Sequence, residues 1–202
     1  MKVGFIGLGN VGGKLSGSLL RNGVELYVRD LNTELVDSFV ARGAHTAKTN
    51  QELMETCDAV ITCLPSPAAS AAVMEGAHGL LDGMSSGKIW MEMSTTDQTE
   101  VTRLGAMVKA KGGHAVDCPV SGGCHRADTG NIAIFAGCER ETFDAIFPLL
   151  QKMGRRLLHT GELGSASVLK VVTNYLATAN LLSCAEALTT CKAAGMDLGT
   201  SY

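Results

Sequence analysis

Aromatic side chains make up only 4% of the 202 residues, and no basic run is longer than Arg155-Arg156. The formal net charge is −3. Nucleic acids and anionic membrane surfaces recruit basic patches, so neither is expected as a partner. No apolar run approaches the ~18 residues that a membrane span needs. The opening Met1-Lys-Val-Gly-Phe-Ile-Gly7 meets glycine too soon to serve as a signal peptide. The seven cysteines are odd in number, scattered, and never in a CxxC spacing. That pattern disfavours a disulfide framework or a zinc site and suits small buried apolar residues in a reducing compartment. No metal is expected, and the cytoplasm is the default location.

What the chain does have is 46% hydrophobic residues and 24 glycines, against 18% charged residues. A sizeable core and many short turns follow, as in a soluble α/β protein. The length allows one large domain, or one domain plus a fragment.

Strand and helix signals alternate from the start. Residues 3–6, 24–28, 59–64, 89–93, 114–117, 132–136 and 157–160 read as strands, and 11–22, 35–42, 97–111 and 141–153 as helices. Thr49-Asn-Gln-Glu52 is a capping box that opens a further short helix, and Asp97 with Glu100 marks another helix start. Such alternation implies a mostly parallel sheet with helices on both faces.

The end of the chain is different. Residues 165–194 hold neither Gly nor Pro, and Gly195 closes them. As one helix they would span ~45 Å at 1.5 Å per residue. Apolar side chains such as Val168, Val172, Leu176, Leu182 and Leu188 sit almost all the way round. A helix apolar on every side expects partners on every side. Too little chain follows to supply them. The expectation is a truncated sequence or cover from another copy, and hence a homo-oligomer.

Chemistry enters at Gly7-Leu8-Gly9-Asn10-Val11-Gly12, a GxGxxG directly after the first strand and directly before a helix. Gly7 allows the tight turn, Gly9 lets the backbone approach a pyrophosphate, and Gly12 lets helix and sheet close up. Asp30 ends the second strand eighteen residues after Gly12, placed to bond the ribose hydroxyls of a dinucleotide. Its bland reading is a strand-end Asp that starts a turn. Together the glycines and the acid predict a Rossmann-type, doubly wound, mostly parallel α/β sheet that binds NAD. Arg29 is suited to the 2′-phosphate of NADP, but strand alternation points it away from the face that Asp30 uses. NAD is favoured over NADP.

Two later segments suit a substrate. Asp117-Cys-Pro-Val-Ser121-Gly122-Gly123 joins a strand end to a turn whose backbone N–H groups can form a concave site for a carboxylate, or simply a loop. Gly161-Glu-Leu-Gly164 leads into the long helix, where Lys170 and Asn174 share one face and Thr178 extends the stripe. A lysine in so apolar a setting is costly without a role or a partner, unless it snorkels at the helix edge.

Taken in order, these motifs resemble the β-hydroxyacid dehydrogenase family, of the 3-hydroxyisobutyrate dehydrogenase and tartronate semialdehyde reductase kind. Phe5 to Gly12, Asp117 to Gly123, Gly161 to Gly164 and Lys170-x-x-x-Asn174 carry the likeness, with Cys118 where the family often has Ala. The resemblance implies Lys170 as the acid/base and Asn174 as the residue holding substrate and Lys170 in register. It implies Ser121, Gly122 and Gly123 around a small carboxylate-bearing substrate, and Leu64, Pro65 and Thr95 against the cofactor. It also implies a division into residues 1–162, the NAD-binding Rossmann domain, and residues 163–202, a long interdomain helix and the start of a truncated all-helical C-terminal domain. A piece lacking that domain is expected to bind NAD and turn over little. The neighbouring alternatives are a 6-phosphogluconate dehydrogenase relative, disfavoured because Thr173-Asn174-Tyr175 stands where that family has His-Asn-Gly, and a dinucleotide-binding module without chemistry.

Overall fold

A computed structural model describes residues 1–201. The strands are β1 (Lys2–Ile6), β2 (Glu25–Arg29), β3 (His45–Thr46), β4 (Ala59–Thr62), β5 (Ile89–Glu92), β6 (His114–Asp117), β7 (Val120–Ser121), β8 (Ile132–Gly137) and β9 (Gly154–Gly161). They form one sheet in the order β3-β2-β1-β4-β5-β6-β8-β7, with β9 on β8. Every neighbour pair from β3 through to β6 is parallel. β8 runs against β6 and β7, and β9 runs with β8. This is the doubly wound, Rossmann-type order, whose crevice opens where the chain reverses direction across the sheet, between β1 and β4.

Alternation along the strands sorts the core into two faces. Val3, Phe5, Ile61 and Met91 point into one apolar cluster, and Ile6, Val60 and Trp90 into the other. The first is covered from α1 (Gly12–Arg21) by Leu15 and Leu19, and from α8 (Arg140–Leu150) by Ile146 and Leu150. The second is covered from α3 (Asn50–Thr56) by Leu53 and Met54, and from α6 (Gln98–Ala110) by Val101, Leu104 and Val108. The caps read from the sequence form. The Thr49 side chain accepts the Glu52 N–H at 3.0 Å and Asp97 accepts the Glu100 N–H at 2.8 Å. Glu52 returns its carboxylate to the N–H of Lys48, one residue earlier than a capping box requires.

α2 (Thr33–Val40) matches its expected position, whereas α4 (Pro67–Glu75), α5 (Leu80–Gly83) and α7 (Gly123–Asp128) have no counterpart in the sequence reading. α4 is alanine-rich and shows no apolar stripe. Its signal is Ser66, whose hydroxyl accepts the Ala69 N–H at 3.2 Å, followed by Pro67 at the first helical position. The last long helix, α9 (Ser165–Ala193), ends one residue short of its expected end and buries only Ala166 and Ser167. The short α10 (Leu198–Ser201) follows it. Among the described residues no helix is long and apolar enough to cross a membrane.

Candidate functional site

The turns after β1, β2, β4 and β5 meet around a cavity of about 960 Å³. Gly7 sits at φ +98°, and a Cβ there would collide with the Cys63 carbonyl oxygen. A Cβ on Gly12 would collide with the Gly7 carbonyl oxygen, so the first turn of α1 can close on β1 only with glycine at both positions. Gly9, by contrast, faces open space. Bare backbone at the start of a helix, opening onto a large cavity, fits a pyrophosphate.

Asp30 fixes the far side of the same turn. Its Oδ2 accepts the Leu8 N–H at 2.6 Å and its Oδ1 accepts the Asn32 N–H at 2.9 Å. The carboxylate therefore braces the glycine loop while lining the cavity beside Leu31. Leu8 is buried and supports the loop from behind, whereas Asn10 and Val11 line the cavity themselves.

Arg29 departs from the expectation. It lines the cavity with Asp30 instead of pointing to an opposite face. β2 ends at Arg29, so alternation no longer governs the residue after it. The guanidinium is nevertheless engaged elsewhere, donating to the Asn50 side chain at 2.9 Å and to the Ala47 carbonyl oxygen.

The opposite wall is Leu64, Pro65, Met93, Ser94 and Thr95, with Ala69, Ala72 and Val73 of α4, the helix the sequence reading missed. Ser94 accepts the Leu64 N–H on its hydroxyl at 2.7 Å, and its own N–H donates to Glu92 Oε1 at 2.8 Å. Glu92 is fully buried, and its Oε2 has no hydrogen-bond partner among the described residues. Burial drives its carboxyl pKa upward, opposed in part by the nearby Ser70 hydroxyl and then by Ser94. An acidic residue inside an apolar strand was the available signal for this group.

Lys170 reaches the cavity from α9, half-buried, with its pKa lowered by desolvation. Gly123 and Val120 also line it, while Ser121 and Gly122, between them in the chain, do not, and Asn174 and Thr178 are exposed. The structure thus gathers the glycine turn, Asp30, Leu64, Pro65, Thr95, Gly123 and Lys170 around one space. It leaves Asn174 outside. The cysteines divide. Cys57, Cys118 and Cys138 are buried as expected, Cys63, Cys124 and Cys191 are partly buried, and Cys184 is exposed on α9.

Residues 2–161 match the model of the family described as the NAD binding domain of 6-phosphogluconate dehydrogenase. A 2-(hydroxymethyl)glutarate dehydrogenase from Eubacterium barkeri is 35% identical over 188 residues, covering 93% of this chain and 62% of that protein. The mitochondrial 3-hydroxyisobutyrate dehydrogenase of Mus musculus is 32% identical over 195 residues, covering 96% of this chain and 58% of that enzyme. The cytokine-like nuclear factor N-PAC of Homo sapiens is 31% identical over 199 residues, covering 98% of this chain and 36% of that protein. The chain spans less than two thirds of each of these relatives.

Proposed function

The chain belongs to the family of the NAD binding domain of 6-phosphogluconate dehydrogenase, and on that premise we propose that it serves an NAD-dependent oxidoreductase of the 3-hydroxyisobutyrate dehydrogenase type. The substrate class is a small 3-hydroxyacid or its semialdehyde. The observation that carries this reading is Lys170, among the described residues the only lysine lining the cavity that the glycine turn also lines. A pure binder has no use for a half-buried ammonium without a partner. Two of the relatives are named as dehydrogenases of small branched hydroxyacids.

When bound, the dinucleotide supplies or accepts a hydride at the substrate carbon. Lys170 handles the proton: in oxidation its neutral amine takes the hydroxyl proton, and in reduction its ammonium returns it to the carbonyl oxygen. Desolvation favours the neutral amine, which brings the group nearer to working pH. Ser121, Gly122 and Gly123 hold the carboxylate through backbone and hydroxyl donors. Asn174, exposed on α9, joins the site only once something covers that helix. Asp30 accepts the ribose hydroxyls and repels a 2′-phosphate, and Arg29 is already engaged, so NAD is favoured over NADP. Residues 1–162 act as the cofactor domain and 163–202 as the helical segment that completes the substrate pocket, with a second copy as the cover for α9. The free thiols suit a reducing compartment such as the cytoplasm, although the relatives above include a mitochondrial and a nuclear protein.

The test is a panel of short 3-hydroxyacids with NAD and with NADP, on the complete protein and its Lys170→Ala variant, alongside cofactor titration. Expected are tighter binding of NAD than of NADP, and a kcat lowered ~10²–10⁴-fold in the variant with NAD affinity nearly unchanged. Near-normal turnover in the variant would make Lys170 a structural lysine, and equal or tighter NADP binding would overturn the cofactor reading. A wild-type protein that binds NAD and transforms no hydroxyacid would be a dinucleotide-binding module.

A further inference from the structure

α9 begins without a cap of its own, since its N-cap is Gly164 and no side chain of the helix serves the first turn. The first N–H groups of a helix still need acceptors. Here one is supplied from across the sheet. Asp117, the last residue of β6, accepts the Ser167 N–H on Oδ2 at 2.7 Å and the Ser167 hydroxyl on Oδ1 at 2.7 Å. Both residues are buried, and fifty positions of chain lie between them. The Ala166 and Gly164 N–H groups turn toward the same carboxylate. Negative charge at this end also complements the dipole of a 29-residue helix.

Little else holds α9 down. Ala166 and Ser167 are its only buried residues. Gly137 at the end of β8 lets the helix start come close: a Cβ there would lie 2.7 Å from the Glu162 carbonyl oxygen and 2.8 Å from Ser165 Oγ. The start of the long helix is thus held by the Asp117 carboxylate, by the close approach to Gly137 and by the Thr160 and Ser165 hydroxyls, which meet at 2.7 Å. Lys170 lies three residues beyond Ser167, within one turn of that anchor. On its other side, Asp117 runs straight into residues 118–123, the loop that carries Ser121, Gly122 and Gly123.

We propose that Asp117 is a positioning residue that registers α9 against the Ser121–Gly123 loop, so that Lys170 and the carboxylate-binding turn address one substrate. The proposal rests on the reading of Lys170 as the proton carrier. It predicts that breaking the Asp117–Ser167 contact misplaces Lys170 while leaving the dinucleotide cradle intact, because no hydrogen bond of Asp117 reaches the glycine turn.

The test uses Ser167→Ala, which removes only the hydroxyl, and Asp117→Asn, both in the complete protein. NAD affinity, the kcat and KM for the best hydroxyacid, and the titration of Lys170 are followed, the last by ¹³C NMR after reductive methylation with the signal assigned through Lys170→Arg. Expected are NAD affinity within ~2-fold of wild type, kcat/KM lowered at least ~10-fold, and a Lys170 titration moved up toward that of an exposed lysine as desolvation is lost. An unmoved Lys170 titration with unchanged kcat/KM, whatever happens to the melting temperature, would reduce Asp117 to a structural anchor and overturn the proposal. Should Asp117→Asn fail to fold, Ser167→Ala decides alone. Failure of the functional reading looks different: Lys170→Ala would then stay active, while the NMR titration would still report whether Asp117 places the lysine.

Discussion

The sheet half of the molecule and α9 are both rich in apolar residues, yet they spend them in opposite ways. In α1, six of ten residues are buried, and its Leu15 and Leu19 vanish against β1 and β2. In α9, two of 29 are buried, while Tyr175 is 71% and Leu181 72% exposed. α1 is placed by contacts along its whole length and by a turn in which Gly7 and Gly12 each have a steric reason. α9 is placed at one end by Asp117 and Gly137, and the rest of it projects. A region fixed everywhere tolerates little change, and one fixed at a point tolerates much until something covers it.

The sharpest way to probe that contrast is Gly12→Val. The new Cβ must displace the Gly7 carbonyl, which is backbone and cannot swing aside. Expected are a loss of NAD affinity beyond ~100-fold and destabilisation by several kcal/mol, as for other changes that force the main chain to move. Leu181→Ala in α9, measured at a dilution where the chain is monomeric, should shift stability by less than ~0.5 kcal/mol, the usual range for exposed positions. Isothermal titration and thermal melts read both. Retained NAD binding in Gly12→Val, or a large loss in Leu181→Ala, would erase the difference between the regions.

The same contrast explains what the sequence makes legible. The glycine turn and Asp30 could be read because each residue type answers a local need: a positive φ at Gly7, a close approach at Gly12, an acid eighteen residues on. The extent of α9 was equally plain, since nothing between residues 165 and 194 interrupts a helix. What stayed hidden depends on distance. An apolar run reads the same in either direction, so the reversal of β8 against β6 left no mark. Arg29 finds Ala47 and Asn50, and Asp117 finds Ser167, only after the sheet has formed. α4 escaped notice because alanines all round a helix give no stripe, though they leave room for the cavity wall they build.

A second, smaller effect tests what covers α9. Val171, Val172, Tyr175, Leu176, Leu181 and Leu182 are all exposed. At ~25 cal/mol per Å² of apolar surface, covering several such side chains is worth several kcal/mol. Two copies recover this most simply about a two-fold axis. Light scattering across a dilution series should therefore show self-association, weakened at least ~10-fold by the double variant Leu181→Glu/Leu188→Glu, with NAD binding unaffected. A clean monomer at high concentration, with α9 well protected from hydrogen exchange, would show that the helix needs no cover from a second copy.

The smallest effect lies in the sheet half, which holds the converse defect: a polar group where apolar ones belong. Glu92 is 1% exposed at the end of β5, with Oε2 unpartnered among the described residues and its pKa raised above 4.5 by burial. A raised pKa means that the folded protein holds this proton more tightly than the unfolded chain does. As pH climbs above ~4.5, the unfolded chain releases the proton and is stabilised relative to the folded state. Stability is lost at about 1.4 kcal/mol per pH unit from this one group, until its folded pKa is passed. Glu92→Gln keeps the shape of the protonated acid and cannot titrate. Near pH 4 the two proteins should melt within ~2 °C of each other. As pH rises above ~4.5 the variant should gain on wild type until Glu92 ionises in the folded protein, each ~1 kcal/mol moving the melting point of a domain this size by ~2–4 °C. Because Glu92 braces Ser94, and Ser94 braces Leu64, NAD affinity should survive in Gln, which keeps an acceptor for the Ser94 N–H, and weaken in Glu92→Ala, which does not. A difference in melting temperature that stays flat with pH would mean that Glu92 carries its charge in the folded protein, with a partner supplied on binding or assembly.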